Sequence, residues 1–145
     1  MAFRNLFPHL TSMRRLLYST AFLGATGVIA GAFGAHALNT ILTQNKTLTI
    51  WNTAVLYHLV HIPALLAAAL YVANNSAHSA WLIRAATCWM IGILLFSGSL
   101  YALALDGPKW LGPVTPLGGL FLIAGWLCVA GAAGKKTKNP PSTKE

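Results

Sequence analysis

Apolar residues in this chain fall into long uninterrupted blocks, without the alternation of a strand or the one-sided stripe of a soluble helix. The blocks run from about Leu16 to Leu38, Ile50 to Ala73, Ala80 to Leu105 and Val114 to Ala133. Each supplies the roughly 20 residues that a helix needs to cross a hydrocarbon core. Only a helix satisfies the backbone polar groups of such a segment from within. The pattern predicts an all-α fold, an integral membrane bundle of four antiparallel transmembrane helices with short connections. Around it we expect a basic N-terminal segment over 1–15, a transmembrane domain over 16–134 and a disordered basic tail over 135–145. The tail, with Lys135, Lys136, Lys138 and Pro140-Pro141, has nothing to bury. Near the start, Phe3, Leu6, Phe7 and Leu10 lie among arginines and suit a short amphipathic surface segment, its regularity limited by Pro8.

Composition supports the membrane reading. Hydrophobic residues make up 56% of the chain and charged ones 8%, against about 25% charged in a soluble domain. The formal net charge is +8, from ten Lys and Arg against Asp106 and Glu145. These basic residues flank the apolar blocks instead of lining one polar face, which fits lipid headgroups and not nucleic acid. In the four-span arrangement Arg4, Arg14, Arg15, Arg84, Lys135, Lys136, Lys138 and Lys144 share one side, leaving Lys46 and Lys109 on the other. The positive-inside rule then puts both termini inside. Arg84 snorkels to the inner interface. Trp51, Trp110 and Tyr101 would mark the outer interface and Trp81, Tyr71 and Tyr18 the inner one. A secretory leader is the competing reading of Arg14-Arg15, an apolar run and Ala35-His36-Ala37. The run is long for a leader, and its glycines make better sense in helix packing.

Those glycines are Gly24, Gly27, Gly31 and Gly34, close to one face of the first helix. Such a stripe lets two helices approach closely, either inside the bundle or at a dimer face. His36 projects away from it, near the outer end, as an interfacial hydrogen-bonding residue. The second block holds Asn52, Tyr57, His58, His61 and Pro63. His58 and His61 are neighbours on one helix, and Tyr57 stacks under His61. Counted from Ile50, His61 lies roughly 16 Å deep, near the midplane. Pro63 removes the bond to the Leu59 carbonyl, kinks the helix and frees an acceptor beside the histidine. The third block offers Ser97, Ser99 and Tyr101, with Met90, Leu94, Ser97 and Tyr101 on one face, so that Ser97 or Tyr101 could meet the histidines. Thr115 joins this outer-half cluster. Ionisable groups at such depth mark a functional site by default. They would ligate haem or a metal, hold a quinone or other small molecule, or relay protons; alternatively they are neutral histidines that specify packing across the bundle. Cys88 and Cys128 read as small core hydrophobes.

Several motifs in one order carry a resemblance: Gly31–Ala37, Trp51 with Thr53–Tyr57 and His61, Leu95–Tyr101, Val114–Gly119 and Ala124–Trp126. Together they resemble the small four-span family that includes the bacterial YgdD-like inner-membrane proteins and vertebrate transmembrane protein 256. The resemblance covers Leu16 to Ala133. It implies a protein of the bacterial inner membrane, or of mitochondria in eukaryotes, and no particular activity; with the charge asymmetry the expectation is a multi-pass protein with both termini cytoplasmic. Leu56 stands where members often carry a charge, and Pro63 and the basic N-terminal extension are also unusual. The chain has no nucleophile–base pair, acidic dyad or complete metal set. The expectation is a non-enzymatic accessory, assembly or interaction subunit in the lipid bilayer, beside a membrane-protein partner or further copies of itself. A small-ligand, haem or metal binder is the rival, an oligomeric transporter or channel the weaker alternative. No cofactor is specified.

Overall fold

The computed structural model of the chain describes residues 8–74 and 79–134. Helix α1 spans Pro8–Ala35, α2 Asn39–Gln44, α3 Leu48–Asn74, α4 Ser79–Gly92, α5 Gly98–Ala104 and α6 Val114–Ala133. A π-helical turn, Ile93–Ser97, joins α4 to α5, and a 3-10 turn, Lys109–Leu111, precedes α6. No strand is present among the described residues. Four stretches are long and apolar enough to cross a membrane: Met13–Ala35, Leu48–Val72, Ala80–Ala104 and Lys109–Ala133.

Several boundaries differ from expectation. Helix α1 runs unbroken from Pro8, the first described residue, so the division expected at residue 15 falls inside it. The first span ends at Ala35 rather than Leu38, and what reads as a plain connection contains α2. The surface segment before Pro8 and the tail from Lys135 lie outside the described residues. Pro63 sits within a continuous α3.

The spans pack in a row. Helix α1 lies on α3, α3 on α4, the π turn and α5, and α4 with the π turn on α6. Among the described residues neither α1 nor α3 forms an extended backbone contact with α6. Small residues allow the close approaches. The nearest neighbours of Gly24, Gly27, Gly31 and Gly34 on α3 are Ile62, Leu59, Val55 and Trp51, so partner numbers fall as glycine numbers rise and the helices run oppositely. The glycine stripe is therefore spent inside the molecule. Gly118 lies against the Phe96 backbone, Gly125 against Trp89 and Gly131 against Trp81, which sets α6 on the third span in the same sense. The main core gathers Leu16 and Leu23, Leu65 and Ala69, Ala85, Ala86, Trp89 and Ile93, and Leu122.

At the end carrying Lys46 and Lys109, a second small core forms from Leu42, Trp51 and Ala104. Two connections there close with the same device. The Thr47 N–H donates to the Leu42 carbonyl (2.8 Å) and the Lys46 N–H to Thr43 (3.1 Å); Gly107 donates to Ala102 (2.8 Å) and Asp106 to Leu103 (3.3 Å). This 6→1, 5→2 pattern places one residue in the left-handed region, here Lys46 at φ 58° and Asp106 at φ 62°. The Thr47 hydroxyl donates to the Ala104 carbonyl at 2.7 Å, tying the first connection to the end of α5. At the opposite end exposed Arg84 lies over the Trp81 ring, 5.2 Å from its centroid.

Candidate functional site

The two deep histidines belong to separate networks. His61 turns back along its own helix, its Nδ1–H donating to the Tyr57 carbonyl at 2.7 Å. Its other nitrogen, Nε2, accepts the Trp126 indole N–H at 3.4 Å, across to α6. A carbonyl on one side and an N–H donor on the other fix the ring as the neutral Nδ1–H tautomer. The carbonyl is that of Tyr57, one turn earlier, and not the Leu59 acceptor expected from Pro63. Around the imidazole stand Trp89 and Trp126, each with its ring centroid 6.2 Å away, and Tyr57 at 6.5 Å. Trp89 and Trp126 meet edge to face at 4.9 Å, and Tyr57 touches Phe96 at 4.7 Å.

His58 faces the first and third spans. Its ring packs where Gly27 leaves room and lies beside the Leu23 carbonyl. Its Nδ1 is 3.3 Å from the Tyr101 hydroxyl, while Nε2 completes no hydrogen bond among the described residues. Tyr101 in turn tilts against Trp51 at 4.7 Å. Trp51, expected at an interface, is only 5% exposed; its indole N–H donates to the Ala30 carbonyl at 3.0 Å, in space that Gly34 keeps free. Both histidines thus contact other spans and both border the third, but His58 bonds toward Tyr101 and His61 toward Trp126, so their hydrogen bonds do not converge.

The remaining expected residues divide. Ser99 shares a hydrogen bond with Thr115 at 2.7 Å and donates to the Phe96 carbonyl at 3.0 Å, so it staples α5 to α6. Ser97 is buried, with its hydroxyl unpaired among the described residues. His36 and Asn52 are exposed, make no side-chain hydrogen bond among the described residues, and stand apart from the cluster. The expected face of Met90, Leu94, Ser97 and Tyr101 is broken: Leu94 is 63% exposed and Ser97 1%. The π turn is the reason, because its extra residue rotates everything after it relative to α4.

A void lies elsewhere, toward the end that carries Arg84. Because α3 and α6 splay apart, a cleft of about 580 Å³ opens between them, floored by Leu82 and Trp89 of α4. Ala64, Ala67 and Ala68 line one wall and Val129, Ala132 and Ala133 the other, with Tyr71 at the rim and Trp126 at the deep end. Trp89 and Trp126 were not among the expected site residues. Their depth was the available signal: Trp89 is nine residues beyond Ala80 and Trp126 seven short of Ala133. That puts them roughly 14 and 10 Å inside the apolar blocks, whereas membrane tryptophans concentrate at interfaces. Among the described residues no group of three or more His, Cys, Asp or Glu is gathered.

The fold and its buried polar contacts define a small multi-span α-helical membrane protein with an aromatic, histidine-centred midsection. The chain belongs to the family described as "Protein of unknown function (DUF423)", whose model matches residues 30–119. A UPF0382 membrane protein of Haemophilus influenzae is 38% identical over 116 residues, 80% of this chain and 90% of the relative. YgdD of Escherichia coli K12, a UPF0382 inner membrane protein, is 38% identical over 127 residues, 86% of this chain and 94% of its own length. YwdK of Bacillus subtilis is 39% identical over 105 residues, 72% and 84% of the two chains. No solved structure matches.

Proposed function

We propose that the chain is a non-enzymatic accessory or assembly subunit that packs through its first span against a larger integral membrane protein. The supporting observation is the one-sided packing of α1. Its glycine face is occupied by α3, while Tyr18, Phe22, Val28, Ile29 and Phe33 are each more than half exposed. Rows of bulky side chains on a span held by one neighbour are suited to receive another helix, since packing drives association in lipid. The buried polar groups point the same way, because Ser99 and Trp51 direct their hydrogen bonds to the protein itself.

In this reading the protein sits in a bacterial inner membrane with both termini in the cytoplasm, which the charge asymmetry supports. A photoreactive amino acid at Phe22, activated in intact membranes, should give a discrete protein adduct absent when the label is at buried Leu65. Lipid adducts alone, or only a self-adduct, would overturn the accessory role. Reporter fusions to each terminus test the sidedness, and activity of a periplasm-dependent reporter at either end would contradict it.

A further inference from the structure

We propose that the cleft between α3 and α6 binds a ring-headed membrane alcohol of the quinol type, its aromatic head at His61 and its apolar tail along the alanine walls. The inference is independent of the accessory role, since it concerns the opposite flank of α3.

Four features select this ligand. The volume, about 580 Å³, lies within the roughly 300–1,000 Å³ typical of small-ligand sites. Apart from Tyr71 at the rim, the walls there are alanine and valine, which suit a flexible hydrocarbon tail and carry no charge to hold an ionic headgroup. At the deep end the lining changes to indoles: Trp126, 52% exposed, offers a flat surface on which an aromatic head stacks, and Trp89, 2% exposed, closes the floor beside it. Behind Trp126 stands His61, and its hydrogen bonds decide the chemistry of the head.

With its Nδ1–H committed to the Tyr57 carbonyl at 2.7 Å, His61 presents Nε2 as an acceptor. The present donor is the indole of Trp126 at 3.4 Å, beyond the 2.7–3.2 Å usual for a protein hydrogen bond. Trp126 is also 52% exposed, so it is free to yield its place. A hydroxyl arriving from the cleft replaces this long contact with a shorter O–H···N bond, and the displaced indole N–H can donate to the same oxygen. A quinone carbonyl lacks the proton: it accepts from Trp126 but leaves Nε2 without a donor. The site therefore discriminates in favour of the reduced form. Binding alone is inferred; no electron transfer is involved.

The test uses the full chain in nanodiscs, titrated with a decyl-chain benzoquinol under anaerobic conditions and with the corresponding quinone, read by tryptophan quenching. One extra net hydrogen bond makes the quinol bind about fivefold tighter. Ala64→Leu, which fills the cleft, should weaken both forms at least tenfold. His61→Phe should retain binding and abolish the preference. If that variant does not fold, Trp126→Phe, which removes the competing donor and keeps a ring, should preserve or increase it. Equal affinity of the wild-type chain for the two forms, no binding of either, or binding indifferent to Ala64→Leu would each overturn the proposal.

Discussion

Replacing Gly118 by alanine should separate α6 from the third span, whereas the same replacement at Gly98 should do no harm. A Cβ at Gly118 would overlap the Phe96 amide nitrogen and lie 2.8 Å from both the Leu95 carbonyl carbon and Phe96 Cα, where ordinary contact begins at 3.4 Å. All three are backbone atoms held in the π turn, so no side chain can swing aside. The helices must part by at least the difference, about 0.6 Å, along an interface whose stability in lipid comes from close packing. Overpacking of this kind costs about 1–3 kcal/mol; the better helix propensity of alanine returns up to about 1 kcal/mol. The expected net loss is about 1–2 kcal/mol. At Gly98 nothing lies within 4 Å of an added Cβ, so only the propensity gain remains and the variant should be as stable as the parent or more so. Gly119→Ala, with its nearest contact at 3.8 Å on the Phe96 ring, is a neighbouring control. Reversible unfolding in mixed micelles of rising sodium dodecyl sulfate, followed by tryptophan fluorescence, measures all three. A Gly118→Ala protein as stable as Gly98→Ala would refute the description of this interface.

Three further substitutions probe other contacts by the same measurement. Trp51→Phe removes the indole donor to the Ala30 carbonyl and should cost about 0.6–1.5 kcal/mol; no change would mean that the bond contributes nothing to the pairing of α1 with α3. Thr47→Val leaves the Ala104 carbonyl at the end of α5 without its side-chain donor, a loss of about 1 kcal/mol, and an unchanged midpoint would argue against that tether. Lys46→Gly should stabilise by about 0.5–1 kcal/mol, because φ at this position is 58° and glycine adopts the left-handed region without a Cβ penalty; a lower midpoint would show that the lysine side chain contributes more than its backbone costs.

The four spans were legible because their signal is local: length and hydropathy alone mark Met13–Ala35 and its three successors. The glycine face of α1 was legible for a similar reason, since 3.6 residues per turn put Gly24, Gly27, Gly31 and Gly34 on one side before any partner is known. The partner was not, and neither was the fate of Trp51, whose burial depends on Gly34 and Tyr101 from two other spans. Extrapolating an ideal helix through residues 90–101 failed at the π turn, where one extra residue per turn separates Leu94 from Ser97. Nothing in Ile93-Leu-Leu-Phe-Ser97 announces that turn; it accompanies the close seating of Gly118 on Phe96. The pairing of His61 with Trp126 was hidden because their 65-residue separation carries no periodic trace. The cleft followed only from knowing that α3 and α6 do not pack.

Packing each span on the one before it has a consequence for how the molecule is made. As helices enter the bilayer in order of synthesis, each finds its principal neighbour already in place, so α1 and α3 can lock through their glycines before the third span is complete. Interactions that join nearby segments form without waiting for distant chain ends. The hydrogen bond that the Trp126 indole N–H donates to His61 is different: it exists only after the fourth span has been threaded. Until then His61 has an acceptor nitrogen in hydrocarbon with no donor from the chain, and insertion of α6 both seats Gly118 and ends that exposure. The last helix thereby completes the chemistry of the second.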